Sequence, residues 1–596
     1  MRKLIVLSLA GLLILAFSAI GYAQAPKLEF RASGFIDTQT FIGEGVPQYT
    51  GSGPGVGTYG ITNANYSTAG VGINVKANGW NKTDSHWEGR AHLKFDAVMG
   101  PNLSGTIYFE IDTLRWGSTF NSGGGTREAN NFGAWTTDRT AVEVKNIYVD
   151  VGLPYFGVPW PVNLRVGAQP IGIRPNVLVY SDGTGVTAGI KIDPVLIMPI
   201  YAKALENLDF ADDDADVWGL HANAKLGTFT VGAYGLLYRM NTYPLYVIDT
   251  SAAQTIFPGS SIQQFGQFPG TFKSHMWWWG AYTDGKAGPV NLNFDFVYDY
   301  GSVDERVKRD AGAGFLPFGA TSTFNNIPDV KYEGWMVRGK VDYPWEKFNF
   351  GSVFMYATGA DIRRTSSSGL PGTFVGSGLP GTVPGPGFQF ASPQQPWGTT
   401  NLTRRNTSYV VPPGSEQGPS NMESMVVYSM EPGATGGYGI ANNANYNSLS
   451  RGGFGGTWFA KLYASMKLMP WYKVTVQGLY IGDTTKNGDT FGNSVKYIQS
   501  PITSNGGTAP MMLRDNSNIG WEFDLINEIQ IYNNLRFFIG AGYLFAGDAL
   551  DVAMQHRGGI PGAPGSDITG MATGTIVGNR KADNPWAIRT RLQYTF

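Results

Sequence analysis

The sequence predicts an all-β chain, a transmembrane antiparallel up-and-down β-barrel of about 18 strands with short periplasmic turns and long external loops. Three observations predict it. The first is the C-terminal segment 586–596, where Trp586, Ile588, Thr590, Leu592, Tyr594 and Phe596 alternate with Ala587, Arg589, Arg591, Gln593 and Thr595. Successive side chains of a strand point to opposite faces, so one face is apolar and the other carries two guanidinium groups. An Arg on the lipid side near mid-bilayer would cost roughly 2–4 kcal/mol, whereas on the lumen side it stays hydrated. The second is composition: 81 glycines, 13% aromatic and 15% charged residues, against about 25% charged in average soluble chains. The third is a regular exchange of short turns with long polar connections.

At the N-terminus, Arg2 and Lys3 precede an apolar run from Leu4 to Ile20 and the small-residue stretch Gly21-Tyr22-Ala23-Gln24-Ala25. That order reads as a secretory signal peptide over residues 1–23, cleaved after Ala23; a retained anchor is the alternative. Residues 24–596 are then a single barrel domain. No later stretch approaches the roughly 20 apolar residues of a spanning helix; the segment Pro194 to Ile200 is short and broken by prolines.

Alternation recurs along the mature chain. Trp87, Leu93 and Phe95 oppose Glu88, Arg90, His92, Lys94 and Asp96; Phe294, Phe296 and Tyr298 oppose Asn293, Asp295 and Asp299. Trp521, Phe523 and Leu525 likewise oppose Glu522, Asp524 and Glu528. Strands are expected near 28–41, 86–98, 104–116, 140–153, 162–170, 184–193, 196–204, 216–226 and 228–240. Nine more are expected near 274–285, 290–302, 330–343, 347–360, 456–469, 472–484, 517–532, 534–548 and 584–596. The long external loops lie near 43–84, 241–273, 303–329, 361–455, 485–517 and 549–583. The even total leaves both ends on the periplasmic side; 16 strands is the alternative count. Tyr66 to Lys76 also alternates, but as a wall strand it would put a long loop on the periplasmic side, so it is assigned to the first external loop. The largest loop, 361–455, either lies outside as a flap or folds inward and narrows the pore. Its segment 439–446 resembles 60–66, and two copies are too few for a repeat fold.

The absence of cysteine excludes disulfides, thiolate metal sites and cysteine nucleophiles, and a formal charge of −1 gives no hint of a nucleic-acid partner. Asp212, Asp213 and Asp214, near Glu206, Asp209 and Asp216, read as a solvated acidic loop, with Ca²⁺ binding as the sharper alternative. The five histidines form no metal-ligand spacing, and no nucleophile has a base beside it. No metal, cofactor or enzymatic activity is expected. In Trp277-Trp278-Trp279, at least one indole must leave the lipid face. An interfacial girdle is the main reading, and a sugar-stacking platform the alternative.

The inward ionisable residues are the candidate functional set. Arg90, Lys94, Arg165, Arg338, Lys340, Arg589 and Arg591, with Glu522 and Asp524 as opposing charges, are the expected lining of a constriction. Mixed signs across facing walls produce a transverse field; the plainer reading is mutual pairing that hydrates the lumen. Phe596, after Tyr594, is similar to the C-terminal assembly signature of bacterial outer-membrane barrels.

Two regions carry a family resemblance. Gly520-Trp521-Glu522-Phe523-Asp524, Tyr532-Asn533-Asn534-Leu535 and Gly540-Ala541-Gly542-Tyr543-Leu544-Phe545-Ala546-Gly547-Asp548 resemble the C-terminal region of alginate-export-type porins. Asn146-Ile147-Tyr148-Val149-Asp150 followed by Leu164-Arg165-Val166-Gly167-Ala168-Gln169 looks like that family's strand pair, with Ala168 where its Gly-Arg-Gln motif has Arg. The resemblance covers about a third of the chain and implies an 18-strand barrel and, in its namesake members, an Arg-rich conduit for an anionic polysaccharide. The mixed-sign lumen here points instead to passive diffusion of small hydrophilic solutes or ions. Polysaccharide export, or a plugged surface-binding barrel, are the alternatives. The expected partners are outer-membrane lipid, the diffusing solute and the barrel-assembly machinery.

Overall fold

A computed structural model describes residues 27–44, 83–116, 142–153, 160–175, 177–206, 214–243, 245, 272–305, 330–360, 404–414, 423–429, 449, 452–486, 495–497, 511–513, 516–550, 552–555, 576–582 and 584–596. Eighteen wall strands follow in chain order: β1 (Leu28–Glu44), β2 (Thr83–Met99), β3 (Leu103–Arg115), β4 (Glu143–Gly152), β5 (Val162–Ile173), β6 (Val179–Ile192), β7 (Val195–Leu205), β8 (Ala215–Leu226) and β9 (Phe229–Tyr243). They continue as β10 (Phe272–Ala287), β11 (Val290–Glu305), β12 (Val330–Trp345), β13 (Phe348–Ala357), β14 (Thr457–Met469), β15 (Tyr472–Asp483), β16 (Asn518–Tyr532), β17 (Leu535–Ala546) and β18 (Trp586–Thr595). Each is antiparallel to the next, and β18 closes on β1 from Phe35↔Thr595 to Glu44↔Trp586. The closed sheet leaves no edge, as a wall in lipid requires. All eighteen expected strands are present, and the count of 16 is set aside. The signal-peptide segment, residues 66–76 and the related stretches 60–66 and 439–446 lie outside the described residues.

The wall is inside-out relative to a soluble protein. On β16, Trp521, Phe523 and Leu525 are 47–52% exposed, while the intervening Glu522 and Asp524 are 0% and 5% exposed. The same contrast recurs on β11 and β12, where Phe294, Phe296, Trp335 and Val341 are exposed and Asp295 and Asp299 are buried. Water does not retain such a surface, and lipid does. At one end most neighbouring strands are joined by two-residue turns. Leu226 pairs with Phe229, Ala287 with Val290 and Trp345 with Phe348. The first turn residues, Gly227, Gly288 and Glu346, have φ of 62°, 60° and 52°, the positive range that such tight hairpins need.

Two external connections fold back inside. β5 pairs with β4 only as far as Ala168↔Ile147, and β6 rejoins β7 only at Thr184↔Lys203. Between those points Gln169 to Ile173 pair solely with Val179 to Gly183, so the hairpin tip leaves the wall. Ala168, where the resembled motif has Arg, is thus the last residue of β5 paired with β4. Ile171, Ile173, Val177, Leu178 and Val179 make the tip apolar, and all are buried. A Cβ built on Gly219 of β8 would sit 3.5 Å from Ile173 and 3.3 Å from both Ile200 and Leu236, which places the tip against β7–β9.

The second insert belongs to the long connection between β13 and β14. Arg404–Asn406 run parallel to Val330 to Tyr332 of β12. Segments 404–414 and 423–429 then dock on the inner wall, with Tyr409, Val410, Val426, Val427 and Tyr428 fully buried. Of the two expectations for this loop, infolding is the one observed over these segments. The lumen is consequently not polar throughout. Leu236, Tyr238, Met240, Met276 and Trp278 face inward and form an apolar bed with the inserts, stabilised by roughly 25 cal/mol per Å² of apolar surface removed from water.

Candidate functional site

The infolded segments are held by carboxylates and an indole of the wall. Glu522 accepts the Val426 and Val427 N–H groups at 2.5 and 3.0 Å and the Ser424 hydroxyl at 2.8 Å. Asp524 accepts the Met425 N–H at 3.2 Å and Gln477 at 2.7 Å. Higher on the wall, Asp299 accepts from the Val410 and Gly334 N–H groups, each at 3.1 Å, and Trp278 Nε1 donates to the Val410 carbonyl at 2.8 Å. These carboxyl oxygens accept N–H groups that burial would otherwise leave unsatisfied, so each carboxyl group fixes a stretch of loop backbone. β17 supplies space for this seat. A Cβ at Gly542 would lie 2.5 Å from Met425 Cβ and 2.4 Å from Asp524 Oδ1, and one at Gly540 would lie 2.7 Å from Met425 Cε.

Between the inserts and the wall is a cavity of about 880 Å³, room for about 30 waters at their liquid volume. Its lining interleaves charges, with Arg338 and Lys340 on β12, Lys461 on β14 and Lys473 on β15 beside Asp284, Asp295 and Asp342 on β10, β11 and β12. From the hairpin, Arg174 reaches Asp295 at 2.6 Å and Asp284 at 2.7 Å. Burial works against its charge, but these two carboxylates outweigh it and raise the guanidinium above its ordinary value. From the long loop, Glu423 accepts from Arg338 Nη2 at 2.5 Å and from Lys461 at 2.5 Å. Burial alone would raise its carboxyl, yet Lys461 and Arg338 bring it down to about 2. Asn293 links the two inserts, donating to Asp284 and accepting from Arg338 at 2.8 Å.

The expected constriction residues divide into three groups. Arg338 and Lys340 line the cavity, the latter 3.2 Å from Asp342. Arg90, Lys94, Arg165 and Arg591 lie on the opposite arc of the wall, each beside an acid. Arg90 pairs with Glu110, Lys94 with Asp96 at 3.1 Å, Arg165 with Asp150 at 2.7 Å and Arg591 with Asp37 at 2.5 Å. Glu522, Asp524 and Arg589 are inward but withdrawn from open water, the two acids beneath loop backbone and Arg589 buried over the Phe41 ring at 5.3 Å. The acids act as loop anchors rather than as charges opposing a basic wall.

The other expectations resolve by register. Trp277 and Trp279 face outward and stack at 5.2 Å, a girdle pair, while Trp278 is the loop anchor, so none of the three forms a lumenal sugar platform. Asp209, Asp212 and Asp213 lie outside the described residues. Asp214, Asp216 and Glu206 share the ammonium of Lys203 at 2.9, 3.3 and 2.8 Å, and no metal-binding cluster occurs among the described residues. Lys203 offsets one of these three negative charges.

Sequence reasoning missed Arg174 and Glu423, which lie in connections rather than on the strands whose inward residues were named. The available signal was apolar: Ile171, Ile173 and Val177 to Val179, and the run 425–428, stand out from otherwise polar connections, and such side chains need a surface to cover them.

No family model matches the chain, and no curated protein sequence matches it. Among solved structures it is similar to Pseudomonas aeruginosa OccK8 (OprE), with TM-score 0.40, 9% identity, and 95% of this chain and 98% of that one covered. It is similar also to Pseudomonas aeruginosa OpdQ (TM-score 0.39, 8% identity, 95% and 98% covered) and to Acinetobacter baumannii OccAB4 (0.38, 9%, 97% and 100%).

Proposed function

We propose that the chain is an outer-membrane channel through which small hydrophilic solutes or ions diffuse passively. The observation that carries the reading is the charged cavity of about 880 Å³ enclosed by a barrel whose outside is apolar. An apolar exterior suits lipid, and a lumen lined by paired charges stays wet. The two inserts filter by size, and the residues around them filter by field. Arg338 and Lys340 belong to the narrow part in this reading, and Arg90, Lys94, Arg165 and Arg591 line the arc across from it. An export signal over residues 1–23 and Phe596 as the assembly signal complete the proposal, with lipid and the assembly machinery as partners.

Single-channel recording in planar bilayers tests it. Discrete conductance steps in salt solution are expected. Their absence would leave a plugged, surface-binding barrel as the better account. Block by acidic oligosaccharides at low concentration would favour the polysaccharide conduit that the alginate-export resemblance implies.

A further inference from the structure

We infer that Glu423 is the selectivity-determining residue of this channel, a loop-borne carboxylate that pairs with two wall cations at mid-depth. The inference rests on the channel reading above and adds the residue that sets its ion preference.

Depth comes first. Arg338 is the ninth of sixteen residues in β12 (Val330–Trp345), so its head group lies near the middle of the wall. It pairs across the sheet with Asp295 and Met355, themselves interior to their strands. Glu423 therefore stands within the barrel rather than at its mouth. A charge inside the barrel is screened less than one at the rim, so it acts more strongly on passing ions.

The pairing of the cavity cations comes second. Lys340 has Asp342, Lys473 has Glu528, and Arg174 has Asp284 and Asp295. Those acids all belong to the wall. Arg338 and Lys461 differ, because among the described residues the carboxylate in ion-pair reach of either is Glu423. Without its charge, Lys461 has no carboxylate in ion-pair reach among the described residues, and Arg338 keeps only its cross-strand neighbour Asp295, which Arg174 already holds.

The third point is that charge and position are separable here. The Glu423 carbonyl is held on its own, accepting from Lys461 Nζ at 3.0 Å and Gln477 Nε2 at 3.1 Å. Residues 424–427 are seated on Glu522 and Asp524. A glutamine in place of Glu423 keeps that backbone seat and one acceptor oxygen, removes the charge, and turns an NH2 group towards whichever of Arg338 and Lys461 loses its oxygen.

The test is the reversal potential of single channels across a KCl gradient averaging about 0.1 M, where the screening length is about 10 Å. In Glu423→Gln the anion-over-cation permeability ratio is expected to rise about threefold or more over the unaltered protein. Glu29→Gln, at the exposed periplasmic end beside Arg31, leaves the ratio where it was. Lys461→Met reads the same field in the opposite sense and lowers the ratio, which keeps the test decisive if Glu423→Gln fails to insert. A conducting Glu423→Gln channel with the unaltered ratio overturns the inference and leaves the channel reading intact. An unaltered protein that never conducts overturns both.

Discussion

The Tyr409 hydroxyl donates to the Val177 carbonyl at 2.9 Å, joining the long external connection to the short β5–β6 hairpin inside the barrel. The two inserts are 232 residues apart in sequence, and this bond lets each brace the other. Both groups are fully or nearly fully buried, so neither has water to fall back on.

Tyr409→Phe removes the donor and leaves the Val177 carbonyl without it, a loss of about 1–3 kcal/mol for a buried group. The wall is untouched, so the barrel should still insert and conduct. The expected change is larger open-channel current noise from inserts that move more independently. Noise spectra superimposable on those of the unaltered protein would show that the hydroxyl braces nothing.

Gly542→Ala tests the seat of residues 424–427 from the wall side. The added methyl group would fall 2.5 Å from Met425 Cβ, far inside van der Waals contact, and alanine otherwise suits a strand. The loop must yield, and overpacking of this kind typically costs 1–3 kcal/mol. Amide exchange at Met425, Val426 and Val427 should quicken about tenfold or more, with wall amides of β17 unchanged. Equal protection in the variant would mean that the segment accommodates the methyl group without leaving its carboxylates.

The ion pairs of Glu423 have a defined pH window. Its carboxyl is depressed from 4.5 to about 2 by Lys461 and Arg338 against the opposing effect of burial. A depressed carboxyl contributes stability that is fully present above the undocked value of 4.5 and is lost as pH falls through about 2. The facing groups are the ammonium of Lys461, the guanidinium of Arg338 and the neutral amide of Gln477. The docked loop should thus persist at pH 5 and loosen progressively from pH 4.5 towards pH 2, a linkage on the order of 3 kcal/mol. Glu423→Gln should lack that component when current noise is followed over the same range. If both proteins respond to acid identically, the docking energy lies in other groups.

The strand order was legible because alternation needs only local information. Trp521, Phe523 and Leu525 against Glu522 and Asp524 declare their faces without reference to the rest of the chain. Infolding of the 361–455 loop was one of two readings, but the contacts of the inserts were not legible, because which wall they meet is a long-range matter. Nothing near Arg174 announces Asp284 and Asp295, more than 100 residues away, and nothing near Glu423 announces Arg338. Glu522 and Asp524 illustrate the limit. Their inward direction followed from register, but their task of holding loop backbone depended on residues 424–427 arriving from a distant connection. Trp278 behaves likewise: it departs from the lipid-facing pattern of its neighbours, and its reason is the Val410 carbonyl.

Leu525→Arg tests which side of the wall meets lipid. Leu525 is the eighth of fifteen residues in β16 (Asn518–Tyr532) and 47% exposed, so an outward guanidinium there sits near mid-bilayer. The expected cost is about 2–4 kcal/mol, read as a lower urea midpoint for unfolding from lipid vesicles. Ile526→Arg, one residue along, turns its charge to the lumen near Asp524 and Glu528 and should cost much less. The adjacent pair controls for backbone propensity, since the two positions share a strand and differ in face. Equal losses at the two positions would contradict the assignment of the apolar face to lipid, because only a low-dielectric exterior makes one of them expensive.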